Sequence, residues 1–229
     1  MSGKSNAASL QYSQTEWQDI AESLALFADV LNRAPTEGRI AELVAVFSSE
    51  LVAEQVAEQV DEQVDEQVDK QGLELMTQYY KAQAKRSPEE LARELAVDWT
   101  FVFGGLDQGR GPRPPYAGVW LAADGVGIEQ MFAVNSFYLD AGLGLKPVLD
   151  GAAKKDRLDY LGMQCDFAAC LASRIAQGDK SSLETLRVFL DTYVLSWLFR
   201  YEKEVALKGK TDFWKGFITL VRATLEEIS

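Results

Sequence analysis

The segment DWTFVFGGLDQGRGPRPPYAGVW, residues 98–120, is the one stretch of the sequence that cannot continue as an ordinary helix. Between Gly104 and Gly118 it contains three of the six prolines and five of the seventeen glycines. Proline fixes φ and lacks an N–H group, and glycine readily adopts positive φ, so a helix that ends near Phe103 must give way to a shaped loop. The aromatic side chains of this segment predict either a plug of the hydrophobic core or a wall of a peptide or ligand groove.

On both sides of this loop, apolar residues recur at helical spacing. Ser13 and Glu16 are spaced as a capping box and predict a helix from about Gln14 to Leu31, and Ser87 with Pro88 predicts the start of the helix that runs into the loop. The same spacing predicts further helices after Pro35, from Leu73 to Ala84 after an interruption at Gly72, from Ile128 to Ala141, from a cap at Asp156 to Gly178, from a capping box at Ser181 and Glu184 to Leu198, and from Thr211 onward.

No segment alternates with the period of two that is typical of a strand. The sequence therefore predicts an all-α fold, with residues 1–229 forming a single compact domain of roughly eight or more helices. The glycine-containing linker at residues 142–156 predicts a hinge within this domain.

Residues 53–71, AEQVAEQVDEQVDEQVDKQ, form an internal four-residue repeat. Because a period of four exceeds the 3.6 residues of a helical turn, the valines drift around the helix and do not line a straight seam. The repeat predicts a low-complexity, acidic helix exposed to solvent, and the alternative is an acidic segment that attracts a cationic partner.

The composition excludes several classes of function. The chain contains no histidine, which removes the commonest general base and the commonest transition-metal ligand. Cys165 and Cys170 lie five residues apart in a predicted helix, where they point to different faces and form neither a disulfide nor a metal pair. Catalysis that depends on histidine is thereby excluded, whereas an enzyme that uses carboxylates stays possible, although the 35 Asp and Glu residues offer no distinctive pair. We expect a protein that is not an enzyme and holds no cofactor.

The net charge of −12 and the lack of a basic stripe disfavour nucleic acid as a partner and leave a basic peptide as a reasonable one. No window approaches the roughly 18 consecutive apolar residues of a membrane-spanning helix. The N-terminal residues also lack the apolar centre of a secretory signal peptide. The sequence therefore predicts a cytoplasmic protein.

Six sequence blocks occur in an order that resembles the TorD/DmsD family of molybdoenzyme maturation chaperones, closest to the DmsD branch. They are DWTFVF at 98–103, PPYAGVW at 114–120, FYLDAGL at 137–143, KDRLDYLGMQCDF at 155–167, YVLSWLFRYEKEV at 193–205 and DFWKGF at 212–217. The most specific of them stands where the family has a PPW/YxSVW pattern, and it contributes Pro114, Pro115, Tyr116, Gly118, Val119 and Trp120.

Three positions depart from the family pattern. Gly118 replaces the usual serine, and Arg157 follows Asp156 where the family has Asp-His. Tyr193 begins the block that usually reads His-Leu-x-Pro-Trp. Any role that needs an imidazole is therefore absent from this chain.

The resemblance implies a cytoplasmic chaperone that binds the twin-arginine signal peptide of a molybdopterin oxidoreductase apoenzyme and assists cofactor insertion before export. It also implies a monomer or a domain-swapped homodimer. The site that it implies has an apolar wall and an acidic rim, together with Pro114, Pro115, Gly118, Val119 and Arg157. The expected wall consists of Trp99, Phe103, Tyr116, Trp120 and Tyr138, and the expected rim of Asp98, Asp124 and Asp156.

Two alternatives remain open from the residues themselves. One is a helical interaction protein, or adaptor, that binds a partner helix in the same groove. The other is a nucleotide-regulated protein that binds a guanine nucleotide weakly through Arg110 and Arg113 in the segment GGLDQGRGPRPP. This segment lacks the GxxxxGK[ST] order and follows a helix, so its nucleotide signal is weak.

Overall fold

A computed structural model describes residues 12–36, 38–40, 42–43, 67–83, 85–104, 110–122, 127–143 and 157–229. Within these ranges the regular structure is helical, and the only strand-like feature is an isolated antiparallel bridge between Tyr116 and Tyr160. The predicted all-α class is thereby confirmed. In the same ranges, no helix is long and apolar enough to cross a membrane.

The described helices are α1 (Gln14–Asn32), α2 (Gln67–Ala82), α3 (Pro88–Gly104), α4 (Ala117–Leu121), α5 (Ile128–Asp140), α6 (Leu161–Ala176), α7 (Ser181–Phe189), α8 (Ser196–Lys208) and α9 (Asp212–Glu227), with a π-helical segment at Leu190–Leu195 between α7 and α8. The predicted starts of α1 and α3 are confirmed. The backbone N–H of Glu16 donates to the Ser13 hydroxyl at 3.2 Å, and that of Glu90 donates to the Ser87 hydroxyl at 3.2 Å.

The helix predicted from Ser181 does begin there, but its predicted cap is wrong. The capping box of Ser181 and Glu184 does not form, because the Asp179 carboxylate accepts from the backbone N–H of Ser181 at 3.0 Å and from the Ser182 hydroxyl at 2.8 Å. A carboxylate is a stronger acceptor at a helix N-terminus than a hydroxyl. The helix predicted to begin at a cap on Asp156 starts later. Helix α6 begins at Leu161, and Leu158, which was expected within the helix, lies in the turn before it.

Contacts between Cα atoms divide the chain into two compact units. Unit 1 comprises Met1–Arg33, Pro115–Trp197 and Leu225–Ser229, and unit 2 comprises Ala34–Pro114 and Leu198–Thr224. The single domain and the hinge at 142–156 stay predictions, and residues 144–156 lie outside the described ranges. So do residues 53–66 of the acidic repeat, whose last residues, 67–71, belong to α2.

The core of unit 1 is built where α1 packs along α6. Leu24 and Leu31 of α1 are fully buried, and so is Phe167 of α6, whose ring centroid lies 4.7 Å from that of Phe189 in α7. A Cβ on Gly162 would lie 2.4 Å from the Asn32 side-chain oxygen, so a larger residue at this close approach of the two helices would force the Asn32 side chain to move.

The core of unit 2 is aromatic and centres on Trp214 of α9. The Trp214 indole N–H donates to the backbone carbonyl of Leu95 at 2.8 Å, and its ring meets Phe103 edge to face with centroids 5.4 Å apart. Such pairs contribute about 0.5 to 1.5 kcal/mol beyond the area that they bury. The cluster fixes α3, which leads into the proline-rich loop, against α9.

Gly72 does not interrupt a helix, contrary to the sequence-based prediction, because α2 runs through it. A Cβ on Gly72 would lie 2.7 Å from the carbonyl oxygen of Gly216 in α9, and a Cβ on Gly216 would lie 2.4 Å from that of Gly72. The two glycines therefore allow direct backbone contact between α2 and α9, which offsets the helix-weakening effect of glycine.

Candidate functional site

The proline-aromatic loop is joined in unit 1 to the turn that precedes α6. The backbone N–H of Ala117 donates to the carbonyl of Asp159 at 2.9 Å, and that of Leu161 donates to the carbonyl of Pro115 at 2.9 Å. These two bonds form the bridge between Tyr116 and Tyr160. They hold the first residues of α4 beside the first residues of α6.

Asp159 lies at the centre of this junction with its side chain fully buried. Its carboxylate accepts two hydrogen bonds from the Arg157 guanidinium, from Nε at 3.0 Å and from Nη2 at 2.8 Å. It also accepts one from the backbone N–H of Gly118 at 2.9 Å. A buried carboxylate is tolerated when it is paired and hydrogen-bonded in this way.

Tyr116 is half-buried and covers one face of the same arginine. The guanidinium carbon of Arg157 lies 4.7 Å from the Tyr116 ring centroid, within the range of a cation–π contact. Burial raises the pKa of the Tyr116 hydroxyl, the nearby Arg157 lowers it and Asp159 raises it, with a net increase. The phenol is therefore uncharged at neutral pH. We call Tyr116, Gly118, Arg157 and Asp159 the loop–turn cluster.

Two departures from the family pattern, Gly118 and Arg157, contact each other in this cluster. A Cβ on Gly118 would lie 3.0 Å from Arg157 Nη2 and 2.6 Å from the carbonyl oxygen of Gly127. Gly127 itself has φ +64°, in the left-handed region that favours glycine. The missing side chain at position 118 therefore leaves the room that the guanidinium and the Gly127 backbone occupy.

The large aromatic residues of the predicted wall are buried. Trp99 and Phe103 are 5% and 0% exposed in unit 2, while Trp120 and Tyr138 are 4% and 1% exposed in unit 1. Trp120 stacks on Trp197 with centroids 6.3 Å apart. These four side chains pack as core residues. Their direct contact with a peptide stays a prediction.

The predicted acidic rim is not brought together by the described residues. Asp98 is 1% exposed and caps the start of α9, where its carboxylate accepts from the backbone N–H of Thr211 at 2.7 Å and from that of Lys210 at 3.1 Å. Asp124 and Asp156 lie outside the described residues. Of the remaining predicted residues, Pro114 and Val119 are half-buried, whereas Pro115 is buried.

Two carboxylates of unit 1 were missed by the sequence reasoning. Asp159 follows Arg157 by two residues, and its position just before α6 is the available signal, but the sequence offers Asp156 as a cap in the same segment. Asp166 of α6 is half-buried, and burial raises the pKa of its carboxyl group. Among the described residues it forms no ion pair. A perturbed pKa of this kind marks candidate functional groups.

Helix α5 presents an exposed apolar face in unit 1. Ile128, Phe132 and Leu139 are 56%, 59% and 60% exposed, and their spacing of four and seven residues places them on one side of the helix. We call these three residues the α5 stripe. Contiguous apolar residues on a protein surface are typical of interaction sites. Because α5 packs next to α4, the stripe belongs to the same unit as the loop–turn cluster.

The two arginines of the nucleotide alternative do not converge on an anion site. Arg113 is paired with Glu204 of α8, to which it donates from Nε at 2.9 Å and from its backbone N–H at 3.0 Å. Arg110 is exposed. The nucleotide alternative therefore gains no support from the described residues, which also contain no group of carboxylates and cysteines able to hold a metal ion.

The structure combines an all-helical scaffold, a proline-aromatic loop fixed beside a buried carboxylate, and an exposed apolar stripe. These features define a class of helical binding proteins. The family model described as "Nitrate reductase delta subunit" matches residues 58–201, more than half of the chain. The chain belongs to this family, which confirms the predicted TorD/DmsD-type chaperone resemblance. Membership indicates a molybdoenzyme maturation chaperone, a class that acts by binding and not by catalysis. No curated protein matches the sequence.

Proposed function

We propose that the protein binds the twin-arginine signal peptide of a molybdopterin oxidoreductase apoenzyme in the cytoplasm and assists cofactor insertion before export. The observation that carries this proposal is the family match over residues 58–201, which includes both the loop–turn cluster and the α5 stripe. The assignment to the DmsD branch is part of the proposal.

The chemistry of such a peptide suits these two features of unit 1. A twin-arginine signal peptide has a cationic start and an apolar middle. The net charge of −12 attracts the cationic start at long range. The α5 stripe offers an exposed apolar surface for the middle, as in other cases where an apolar segment docks on a helix face.

The loop–turn cluster is the proposed contact for an arginine side chain. Tyr116 supplies an aromatic face at the surface, and Asp159 supplies a carboxylate of the geometry that guanidinium groups prefer. Gly118 and Pro115 shape the backbone of the loop around this position. Asp166 is a further candidate partner for a cationic side chain, since an approaching arginine stabilises its charged form.

Replacing Phe132 with serine is expected to weaken binding of a synthetic twin-arginine peptide roughly tenfold. The variant removes the largest side chain of the α5 stripe. Full burial of such a side chain contributes about 1.5 to 3 kcal/mol, and covering the 59% of Phe132 that is exposed therefore contributes about 1 to 2 kcal/mol. Isothermal titration calorimetry with a peptide that contains two adjacent arginines and an apolar segment measures the change. The fold is checked by thermal unfolding, since Phe132 lies on the surface.

The matched control is Tyr80→Ser, which alters an aromatic side chain that is 41% exposed on α2 in unit 2. This control is expected to bind the peptide with unchanged affinity. Equal affinity of the Phe132→Ser variant and the unaltered protein would remove the α5 stripe from the proposed peptide site.

A second function, binding of a partner helix as an adaptor, is favoured by one observation, the apolar and exposed character of the α5 stripe. The two functions differ in what they require of the ligand. An adaptor for an amphipathic helix needs apolar residues at helical spacing and no arginine pair. Peptides of matched apolar sequence with and without the arginine pair separate them.

A further inference from the structure

The surroundings of Arg157 have every feature of a site that recognises an arginine side chain. Both carboxylate oxygens of Asp159 bond the guanidinium, at 3.0 Å to Nε and 2.8 Å to Nη2, in the bidentate geometry that distinguishes arginine from lysine. The Tyr116 ring covers a face of the same group at 4.7 Å. We call Tyr116, Gly118 and Asp159 the arginine cradle.

The cradle is held in place by bonds that do not involve Arg157. The backbone N–H of Gly118 donates to the Asp159 carboxylate, and the main chain at Asp159 and Leu161 is bonded to Ala117 and Pro115. The carboxylate therefore keeps its position if the arginine side chain rotates away. The Tyr116 ring also packs against Tyr160, with centroids 5.1 Å apart.

The position of Arg157 allows another arginine side chain to take its place. Its side chain is 31% exposed, whereas that of Asp159 is 0% exposed, so the arginine lies between the buried acid and solvent. Release of the guanidinium breaks its two hydrogen bonds to Asp159, and an incoming arginine that forms the same two bonds compensates for their loss. A second arginine that arrives from solvent can replace it without a net change in the charge or the hydrogen bonds of Asp159.

We infer that the arginine cradle is a binding site for an arginine of the client's signal peptide, and that Arg157 of this chain occupies it until the peptide displaces it. The inference rests on the proposed function. Arg157 then acts as an internal competitor. The apparent affinity for any guanidinium ligand equals the intrinsic affinity multiplied by the fraction of molecules in which the cradle is open. A single arginine then competes poorly, while a peptide with further contacts on the same unit competes well.

The test is the affinity of the twin-arginine peptide for the Arg157→Ala and Arg157→Lys variants, measured by calorimetry. Removal of the competitor is expected to tighten binding roughly tenfold in the alanine variant. The lysine variant is expected to bind more tightly than the unaltered protein, because a lysine makes no bidentate pair with Asp159. Arg33→Ala is the control, since Arg33 pairs with Asp29 on the surface of the same unit at 3.4 Å.

A second readout uses methylguanidinium in place of a peptide. At low millimolar concentration it is expected to raise the melting temperature of Arg157→Ala saturably, with no rise for the unaltered protein or with methylammonium. If Arg157→Ala does not fold, the peptide titration of Arg157→Lys decides whether Arg157 competes with the peptide.

The outcomes separate this inference from the proposed function. Peptide binding by the unaltered protein, with equal or weaker binding by both Arg157 variants, would overturn the self-occupied cradle and leave the proposed function intact. A methylguanidinium effect on Arg157→Ala, with no peptide binding by any variant, would support a guanidinium site but overturn its assignment to the signal peptide.

Discussion

Replacing Phe103 with alanine is expected to lower the free energy of unfolding by about 3 to 5 kcal/mol. Phe103 is fully buried, and its ring packs edge to face against Trp214 and Phe217 at centroid distances of 5.4 Å and 6.3 Å. Alanine removes these contacts and leaves a cavity that the surrounding α3 and α9 backbone fills only in part. Urea unfolding followed by tryptophan fluorescence measures the loss.

Phe132→Ala is the matched control for this experiment, because the same side chain is 59% exposed on α5 and its removal costs little stability. Phe103→Leu keeps most of the buried volume and is expected to retain both the fold and the peptide affinity. A Phe103→Ala variant that is as stable as the unaltered protein but no longer binds the peptide would show that Phe103 belongs to the groove wall and not to the core.

Asp159→Asn is expected to lower the free energy of unfolding by about 2 to 4 kcal/mol. The substitution keeps the size of the side chain but removes the charge that three donors share, the Nε and Nη2 of Arg157 and the backbone N–H of Gly118. The new amide N–H₂ group then faces one of these donors. The effect stays below that of a fully buried ion pair, because the Arg157 side chain is 31% exposed.

Chemical denaturation measures the free energy of unfolding of Asp159→Asn, and the control is the variant Asp191→Asn. Asp191 is exposed in the π-helical segment, so its neutralisation is expected to change stability by less than about 0.5 kcal/mol. Equal stability of the two variants would mean that the junction between the loop and α6 does not depend on the Asp159 carboxylate.

Much of the fold was predictable because local signals and tertiary packing agree. The start of α1 follows from Ser13 and Glu16, and that of α3 from Ser87. The sequence misleads where the reason for a residue lies elsewhere in the chain. Gly72 looks like a helix breaker until Gly216 is placed against it, and no local pattern announces a contact between residues so far apart.

For the candidate site, the sequence predicted which segments contribute residues but not how those residues interact. The loop at 114–120 and the turn at Arg157, which the resemblance placed in one expected site, do meet, and Tyr116 is half-buried at that junction. Helical spacing, however, does not distinguish an aromatic side chain in a groove from one in the core. Trp99 and Trp120 are therefore assigned to the core by their burial, not by their sequence. Asp159 was missed because its partners include a backbone N–H, which no sequence pattern displays.

The most direct test of the central claim compares two peptides on the unaltered protein by isothermal titration calorimetry. The peptides share one apolar segment and differ only in an Arg-Arg or Lys-Lys pair before it, so their charge is the same. The account predicts that the arginine peptide binds at least roughly tenfold more tightly, because lysine lacks the bidentate geometry and the planar face that a carboxylate and an aromatic ring recognise. Equal affinity for the two peptides would contradict twin-arginine recognition and leave the apolar adaptor function in its place.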